Sequence, residues 1–391
     1  MKPLNPDFAS LGTTIFTTMS ALAAEHGAIN LGQGFPDYDI DPRLPELVAQ
    51  AMRDGHNQYA LMEGAPALRQ QISAKLALTH GRHFDADTEI TVTVGATEAI
   101  FCAVQAVVSA GDEAIVFDPA YDSYDPAIRL VGGRCVHIPL QPPAFALDWQ
   151  RVRDAITERT RLIIINSPHN PACTAATAAD LDALAALVRD RDIHLLADEV
   201  YEHVTYDGIR HASVLGHAEL RDKSFAVYSF GKALHATGLR VGYCVAPPVL
   251  TRELRKVHQF NTFSIAHPLQ QAIAQYLGEQ PQAWQQLPQF FQRRRDRVRN
   301  GLAGSLWQAP AAQGTYFQLL DYSALSDASD VAFAERLLTE AGVATIPLSP
   351  FYKEALPLTL LRLCIAKQDA TLDAALERLL EFAGRIQSGQ V

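Results

Sequence analysis

The sequence has few cysteines, and no two of them are close together. Five cysteines occur among 391 residues, at positions 102, 135, 173, 244 and 364. Cysteine-based zinc sites use pairs about two to four residues apart, so we predict no metal site. Scattered cysteines, several in apolar surroundings, are typical of reduced thiols. We therefore expect a reducing compartment.

Long apolar runs and concentrated positive charge are also missing. No run approaches the roughly 18 apolar residues of a membrane span, and the beginning of the chain does not resemble a signal peptide. The formal net charge is −10. The cluster of arginines at 293–299 includes Asp296 and is typical of a solvated helix face rather than of a nucleic-acid surface. We predict a cytoplasmic protein that binds small molecules and neither nucleic acid nor membranes.

The common markers of nucleotide and hydrolase chemistry are absent. Residues 32–37 begin like the dinucleotide motif GxGxxG, but Asp37 stands where the third glycine belongs. Walker A, HExxH and GxSxG motifs do not occur. These absences argue against nucleotide loops, zinc hydrolases and serine hydrolases.

What is present is an alternation of β-rich runs and helical patterns, which predicts a mostly parallel sheet covered by helices. The predicted strands are 90–94, 114–117, 134–138, 162–165, 194–197, 225–228 and 241–246, with helices at 97–108, 178–190 and 266–301. A smaller α+β pattern follows, with strands at 315–319 and 360–364 and helices at 330–341 and 371–383. We expect a large α/β domain at 40–285 and a small domain made of 1–39 and 286–391.

Polar side chains follow four of the predicted strands at their carboxyl ends. They are Thr97, Asn170, Asp198 with Tyr201, and Ser229 with Lys232. Each alone is better explained by a helix cap, a turn or an exposed amine. Because ligands of open parallel sheets bind outside the carboxyl ends of the strands, we expect these groups to converge.

Together these groups suit pyridoxal 5′-phosphate. The cofactor's aldehyde needs a lysine, its pyridine nitrogen a carboxylate, and its phosphate an anion site such as a glycine-led helix start. Lys232, Asp198 and the segment 95–98 provide them. Burial and nearby cations would lower the pKa of Lys232, so that its amine can carry protons.

With these motifs in place, the chain resembles the fold-type I pyridoxal-phosphate aminotransferases of class I/II over essentially its whole length. Within that family it is most similar to the methionine aminotransferases and the kynurenine/glutamine aminotransferases. The matching segments are NLGQGFPD at 30–37, NQY at 57–59, GATE at 95–98, SPHNP at 167–171, ADEVY at 197–201, SFGK at 229–232 and LRLC at 361–364.

The resemblance implies catalytic and cofactor roles for the matching residues. Lys232 would bind the cofactor's aldehyde and move the substrate proton, and Asp198 would pair with the pyridine nitrogen. Tyr201 and Asn170 would donate to the cofactor's phenolic oxygen, and Tyr121 would stack on its ring. The implied phosphate-binding residues are Ala96, Thr97, Ser229 and Arg240.

The resemblance also implies a homodimer and a site for the substrate carboxylate. Tyr59 would reach the phosphate of the neighbouring subunit. Arg362 would grip the α-carboxylate with its bidentate fork, next to Gly34 and Asn170.

The expected substrate pocket has an apolar and aromatic wall. Its candidates are Ile15, Phe16, Tyr59, Tyr121, Phe263 and Phe351. No second arginine is evident for a side-chain carboxylate, which favours methionine, phenylalanine, glutamine or kynurenine as donor and a 2-oxo acid as acceptor. Phe16 and Phe351 are equally compatible with the small-domain core, and the methionine preference rests mainly on the resemblance.

Three residues depart from the family pattern. Cys173 replaces a frequent glycine, Leu239 a common tryptophan, and Leu234 a usual aromatic residue. We expect a changed turn at Cys173 and altered packing around the lysine loop, with the chemistry intact.

Two other functions stay open: a β-lyase (C–S lyase) and a non-catalytic ligand-binding protein on the same fold.

Overall fold

A computed structural model describes residues 12–354 and 356–389, so residues 1–11 of the predicted N-terminal arm lie outside the described part. The strands are β1 (Ile29–Asn30), β2 (Ile90–Thr93), β3 (Glu113–Asp118), β4 (Arg134–Pro139), β5 (Thr160–Asn166), β6 (His194–Asp198), β7 (Ser224–Ser229), β8 (Gly242–Val245), β9 (Phe317–Asp321), β10 (Val343–Ala344), β11 (Ile346–Pro347) and β12 (Leu360–Cys364).

The helices surround these strands. They are α1 (Ile15–Glu25), α2 (Arg43–Arg53), α3 (Pro66–His80), α4 (Gly95–Val107), α5 (Tyr124–Leu130), α6 (Trp149–Ala155), α7 (Ala178–Val188), α8 (Ala218–Arg221), α9 (Phe230–Ala233), α10 (Pro248–Asn261), α11 (His267–Glu279), α12 (Leu287–Gly301), α13 (Asp330–Ala341) and α14 (Asp369–Gln387). In the described ranges, no helix is both long and apolar enough to cross a membrane.

A seven-stranded sheet forms the centre of the molecule, in the order β2-β8-β7-β6-β5-β3-β4. Strands β3 to β7 pair in parallel, whereas β8 runs antiparallel to both of its neighbours. Strands β2, β3 and β8 are buried along their whole length, as their apolar sequences predict for a sheet covered on both faces. This confirms the predicted α/β class.

The register of the parallel strands brings their carboxyl ends together. Asn166 of β5 lies opposite Asp198 of β6, which in turn lies opposite Val227 of β7. Ser229, two residues further along, lies opposite Gly242 of β8. The polar residues that follow these strands therefore lie at one edge of the sheet.

A second, antiparallel sheet has the order β11-β12-β9. The N-terminal strand β1 pairs in parallel with β10, and the Cys364 N–H donates to the Leu31 carbonyl at 2.7 Å. These contacts support the proposal that the N-terminal arm completes the C-terminal unit. The domain limits at residues 40 and 285 stay a prediction.

Two element predictions were wrong in detail. The helix predicted at 266–301 is divided, because α11 ends at Glu279 and α12 begins only at Leu287. Pro281 lies in the gap, and proline disfavours helical backbone at the residue before it. The strand predicted at 315–319 begins at Phe317, because Thr315 has a left-handed φ of 68° that is incompatible with a strand.

Candidate active site

The carboxyl ends of the central strands border one cavity. Its lining residues are Ala96, Thr97, Ile100, Tyr121, Asn166, Asn170, Asp198, Val200, Tyr201, Ser229, Lys232 and Arg240. Nine of these are residues that the sequence predicts for cofactor binding. The structure thus brings the predicted groups together, and their individual roles stay predictions.

One end of the cavity is a site suited to an anion. Helix α4 begins at Gly95 directly after β2, so its first backbone N–H groups have no partner within the helix. Gly95 has a φ of 67°, and a Cβ there would lie 2.9 Å from Nη2 of Arg240. The helix start and the guanidinium therefore approach each other closely only because residue 95 is glycine. This arrangement fits a phosphate.

Lys232 is half-buried in the cavity wall. Its Nζ donates to the Tyr316 hydroxyl at 2.6 Å and lies 3.5 Å from the carbonyl oxygen of Gly34. Burial lowers the pKa of Lys232 to about 8, and the positive charges of Arg240 and Arg362 act in the same direction. The amine can therefore be neutral at a pH not far above 7.

Asp198 ends strand β6 and is buried. Its Oδ2 accepts a hydrogen bond from the Tyr124 hydroxyl at 2.7 Å, and its Oδ1 accepts a longer one of 3.4 Å from the Val200 N–H. Burial raises the pKa of the Asp198 carboxyl to about 6, and the bond from Tyr124 opposes that rise. A buried carboxyl of this kind is suited to pairing with a cationic ring nitrogen.

The two predicted donors, Tyr201 and Asn170, both line the cavity with Asp198. Tyr201 is buried with its ring edge against Tyr316, and burial keeps its pKa well above the usual range, so it remains a neutral hydroxyl. The backbone N–H of Asn170 donates to Oδ1 of Asn166 at 2.7 Å, and Nδ2 of Asn166 donates to the Asp198 carbonyl at 2.9 Å. Asn166 therefore ties the turn that carries Asn170 to the end of β6.

Arg362 of β12 is almost completely buried. Its Nη1 donates to Oδ1 of Asn170 at 2.7 Å and its Nη2 to the Gly32 carbonyl at 2.9 Å, while its buried Nε has no partner within residues 12–354 and 356–389. No carboxylate of the described residues forms an ion pair with it. A buried charge without a counter-ion is costly, so this guanidinium is suited to receive an anionic group from a ligand.

Aromatic rings surround the Arg362 guanidinium. Its carbon lies 3.8 Å from the ring centre of Phe317, 5.1 Å from that of Phe16 and 5.9 Å from that of Phe351. Phe16 and Phe351 also contact each other edge to face. A Cβ at Gly34 would lie 2.8 Å from the Phe317 ring, which explains why this position next to the arginine is glycine.

Two predicted pocket residues lie elsewhere in the single chain. Tyr59 is 83% exposed and Phe263 is 42% exposed, and their rings contact each other at the surface. Neither lines the cavity. The exposed position of Tyr59 agrees with the prediction that it contacts the site of a neighbouring subunit. Phe263 lies beside Tyr59, so it could line a substrate pocket only in a neighbouring subunit.

The three residues that depart from the family pattern each lie within three positions of a predicted site residue in the sequence. Cys173 is buried with a φ of 61°, a left-handed conformation that glycine adopts most readily, and its N–H donates to the His169 carbonyl. Leu234 is buried at the end of α9, and Leu239 is half-buried in the following turn.

Sequence reasoning missed three residues of the site: Tyr124, Asn166 and Tyr316. Asn166 directly follows the predicted strand 162–165, so its place at a strand end was a usable signal. Tyr124 and Tyr316 carry no such signal, because each reaches the site from a distant part of the chain.

Several known proteins are similar to this chain in sequence and in fold. The profile of the family "Aminotransferase class I and II" matches residues 26–379. A methionine aminotransferase of Escherichia coli is 50% identical, over 97% of this chain and 99% of its own. A probable N-succinyldiaminopimelate aminotransferase of Mycobacterium tuberculosis is 36% identical (95% and 97%), and a kynurenine–oxoglutarate transaminase of Mus musculus is 31% identical (94% and 95%).

A solved Escherichia coli structure, described as that of a protein with methionine aminotransferase function, superposes with a TM-score of 0.95 at 50% identity. The superposition covers 97% of this chain and all of the other. The predicted resemblance, enzyme class and cofactor are thereby confirmed. The chain belongs to the class I and II aminotransferase family, and it is an aminotransferase that depends on pyridoxal 5′-phosphate.

Proposed function

We propose that this aminotransferase transfers the amino group of an amino acid with an uncharged side chain, methionine first, to a 2-oxo acid. The observation that carries the proposal is the buried Arg362 guanidinium, which has no counter-ion in the part of the chain that the structure describes and is surrounded by Phe16, Phe317 and Phe351. A carboxylate on the guanidinium would leave the adjoining side chain of the substrate against aromatic rings. The 50% identity to a methionine aminotransferase supports the same preference.

The residues of the cavity fit pyridoxal 5′-phosphate. When bound, this cofactor supplies an aldehyde for the substrate's amino group and a pyridine ring that takes up electrons from the substrate's α-carbon. Lys232 would hold the aldehyde, Asp198 the ring nitrogen, and the start of α4 with Ser229 and Arg240 the phosphate. Tyr201 and Nδ2 of Asn170 would donate to the phenolic oxygen.

Lys232 would move the substrate proton. Its buried amine has a pKa of about 8, so it can accept and release a proton near neutral pH at little cost. Its present partner, the Tyr316 hydroxyl, would hold the amine in one place whenever the amine is not joined to the cofactor. Positioning of this kind contributes directly to rate.

Arg362 would orient every substrate in the same way. A fork of two N–H groups fixes both the position and the plane of a carboxylate. The aromatic rings around it exclude water, which strengthens the charge–charge interaction. Specificity would then depend on the rings rather than on a second charged group.

A single-turnover experiment tests this function. The holoenzyme is mixed with methionine, phenylalanine, glutamine, kynurenine or aspartate without any 2-oxo acid, and formation of the aminated cofactor is followed by absorbance. We expect methionine to react fastest and aspartate slowest. Preference for aspartate would contradict the proposal. A cysteine S-conjugate is tested separately, because a β-lyase needs a leaving group on Cβ; release of ammonia from this conjugate without an acceptor would indicate a β-lyase instead. Phe16→Ala should change the ranking, whereas Leu380→Ala, at an exposed position of α14, serves as the control.

We further propose a homodimer in which Tyr59 reaches the phosphate site of the neighbouring subunit. Tyr59, Leu61, Phe260 and Phe263 are large apolar residues that are all exposed in the single chain. Such a concentration of exposed apolar side chains is typical of an interaction surface. A second copy of the chain would cover it and complete the site.

Mixed dimers of two inactive variants distinguish this arrangement. Lys232→Ala removes the lysine, and Tyr59→Ala weakens the cofactor's phosphate site. If Tyr59 acts on the neighbour, a dimer of one chain of each kind contains one site with both residues intact. Recovery of cofactor binding at that site supports the proposal, and no recovery would refute it.

We also propose that the protein is cytoplasmic. All five cysteines are unpaired, and four of them are buried. Free thiols are typical of proteins from a reducing compartment. Localisation of a tagged chain by fractionation tests this proposal, and recovery from an oxidising compartment would contradict it.

A further inference from the structure

We infer that Tyr124 is a positioning residue that holds the Asp198 carboxylate by one oxygen and keeps the proton shared by Asp198 and the cofactor's pyridine nitrogen on the nitrogen. The inference rests on the binding of pyridoxal 5′-phosphate described above. It concerns a residue that does not line the cavity and that has no place in the predicted site.

The contact between the two side chains is short and fully enclosed. The Tyr124 hydroxyl donates to Oδ2 of Asp198 at 2.7 Å, and both residues are buried, with 3% and 4% of their surfaces exposed. Among the described residues, Oδ1 accepts only the 3.4 Å bond from the Val200 N–H, so it retains capacity for a further donor. The carboxylate thus has one oxygen committed to the protein and one available to a ligand.

Helix α5 connects this contact to the ring-stacking side of the cavity. The Tyr124 N–H donates to the Tyr121 carbonyl at 3.2 Å, and the two rings meet edge to face with centres 5.6 Å apart. Tyr121 lines the cavity. Ala127 and Ile128 anchor the helix in the apolar core. One turn of chain therefore positions both the aromatic ring and the partner of Asp198.

A hydrogen bond to a carboxylate changes how strongly that carboxylate holds a proton. Burial raises the pKa of Asp198, and the Tyr124 hydroxyl opposes this because it stabilises the charged form. The other charged groups that act on Asp198 are Lys232 and Glu199. Without the hydroxyl, the carboxylate becomes more basic and draws the shared proton away from the nitrogen. A charge-assisted bond of this kind corresponds to roughly a 10- to 100-fold change in the distribution of that proton.

The nitrogen's protonation can be observed directly in Tyr124→Phe. The holoenzyme is reconstituted with ¹⁵N-labelled pyridoxal 5′-phosphate, and the ring nitrogen's chemical shift is compared between the two proteins at one fixed pH. We expect the shift of a largely protonated nitrogen in the wild type and a shift displaced towards the value of an unprotonated nitrogen in Tyr124→Phe, because the more basic carboxylate holds a larger share of the proton. An unchanged shift in the variant would overturn the inference.

Two comparisons separate positioning from plain structural support. Tyr322→Phe removes another buried hydroxyl, which donates to the Ala328 carbonyl at 2.7 Å, and should leave the nitrogen's chemical shift unchanged. Replacement of Tyr124 by 3-fluorotyrosine keeps the ring but makes the hydroxyl a stronger donor, so the nitrogen's chemical shift should move further towards the protonated value at the same pH. A shift in the same direction as that of Tyr124→Phe would refute the inference even if Tyr124→Phe folds poorly. A wild type that binds no cofactor would contradict the proposed function. A wild type that binds the cofactor, together with an unchanged shift in Tyr124→Phe, would contradict this inference alone.

Discussion

Arg362 and Asn170 are joined by a hydrogen bond of 2.7 Å across 192 residues of sequence, with Nη1 of the arginine donating to Oδ1 of the amide. The bond links β12 of the small antiparallel sheet to the turn after β5 of the central sheet. Because it occupies Oδ1, the amide's Nδ2 is left as a donor. The residue proposed to hold the substrate carboxylate therefore orients the residue proposed to donate to the cofactor.

Substitution of Arg362 by lysine should lower the catalytic efficiency, kcat/KM, with every substrate to a similar extent. Lysine keeps the positive charge but loses the bidentate fork, and a charge-assisted pair of hydrogen bonds contributes about 2–3 kcal/mol. We expect kcat/KM to fall about 30- to 150-fold for methionine, phenylalanine and glutamine alike, with normal cofactor content. A loss confined to acidic substrates would show that Arg362 contacts the side chain instead.

The amine of Lys232 should react as an unusually weak base in the cofactor-free protein. Its lowered pKa of about 8 means that the neutral amine becomes abundant well below the usual range of lysine. We expect its labelling by trinitrobenzenesulfonate to rise about tenfold per pH unit and to level off near pH 8. Mass spectrometry of the digest gives the rate, with the exposed Lys256 as internal reference. Labelling that still rises steeply above pH 9 would contradict the prediction.

Replacement of Asp198 by asparagine should stabilise the cofactor-free protein while it abolishes turnover. The folded-state pKa of about 6 exceeds the value of 3.8 for a free carboxyl, so folding favours the protonated form. The wild type therefore loses stability as the pH rises from about 4 to about 6, by about 3 kcal/mol relative to the variant. Urea unfolding of both proteins at several pH values measures the difference. A difference that does not change with pH would refute the assignment.

Removal of the Tyr316 hydroxyl should affect turnover more than substrate binding. The hydroxyl accepts from Nζ of Lys232 and donates to the Gly34 carbonyl. In Tyr316→Phe both groups lose a partner, and we expect kcat to fall roughly 10- to 100-fold, with KM changed less, because the amine is no longer held in place. Tyr206→Phe, which removes a buried hydroxyl bonded to the Thr315 carbonyl, is the matched control. Equal losses in both variants would indicate a structural role only.

The order of strands and the polar residues at their ends could be predicted because both depend on local sequence. Apolar runs followed by Asp198 or by Ser229 and Lys232 define where a strand stops, and parallel pairing then brings those ends together. The contacts of Tyr124 and Tyr316 could not be predicted in this way. They join residues 74 and 84 positions apart, so they depend on how α5 and the small sheet pack against the central one.

The reversed strand β8 limits how this enzyme can be altered by insertion or deletion. Strands β7 and β8 form one hairpin, in which the Phe230 N–H donates to the Val241 carbonyl and Ser229 lies opposite Gly242. Lys232 and Arg240 lie within that hairpin, and a Cβ at Gly231 would already meet the Thr237 backbone at 2.9 Å. Lys232 and Arg240, the arginine proposed to bind the phosphate, therefore share a single connection of fixed length. In chimaeras with related enzymes, residues 229–242 must be exchanged as one cassette, since a change of even one residue in its length would move one of the two groups out of the site.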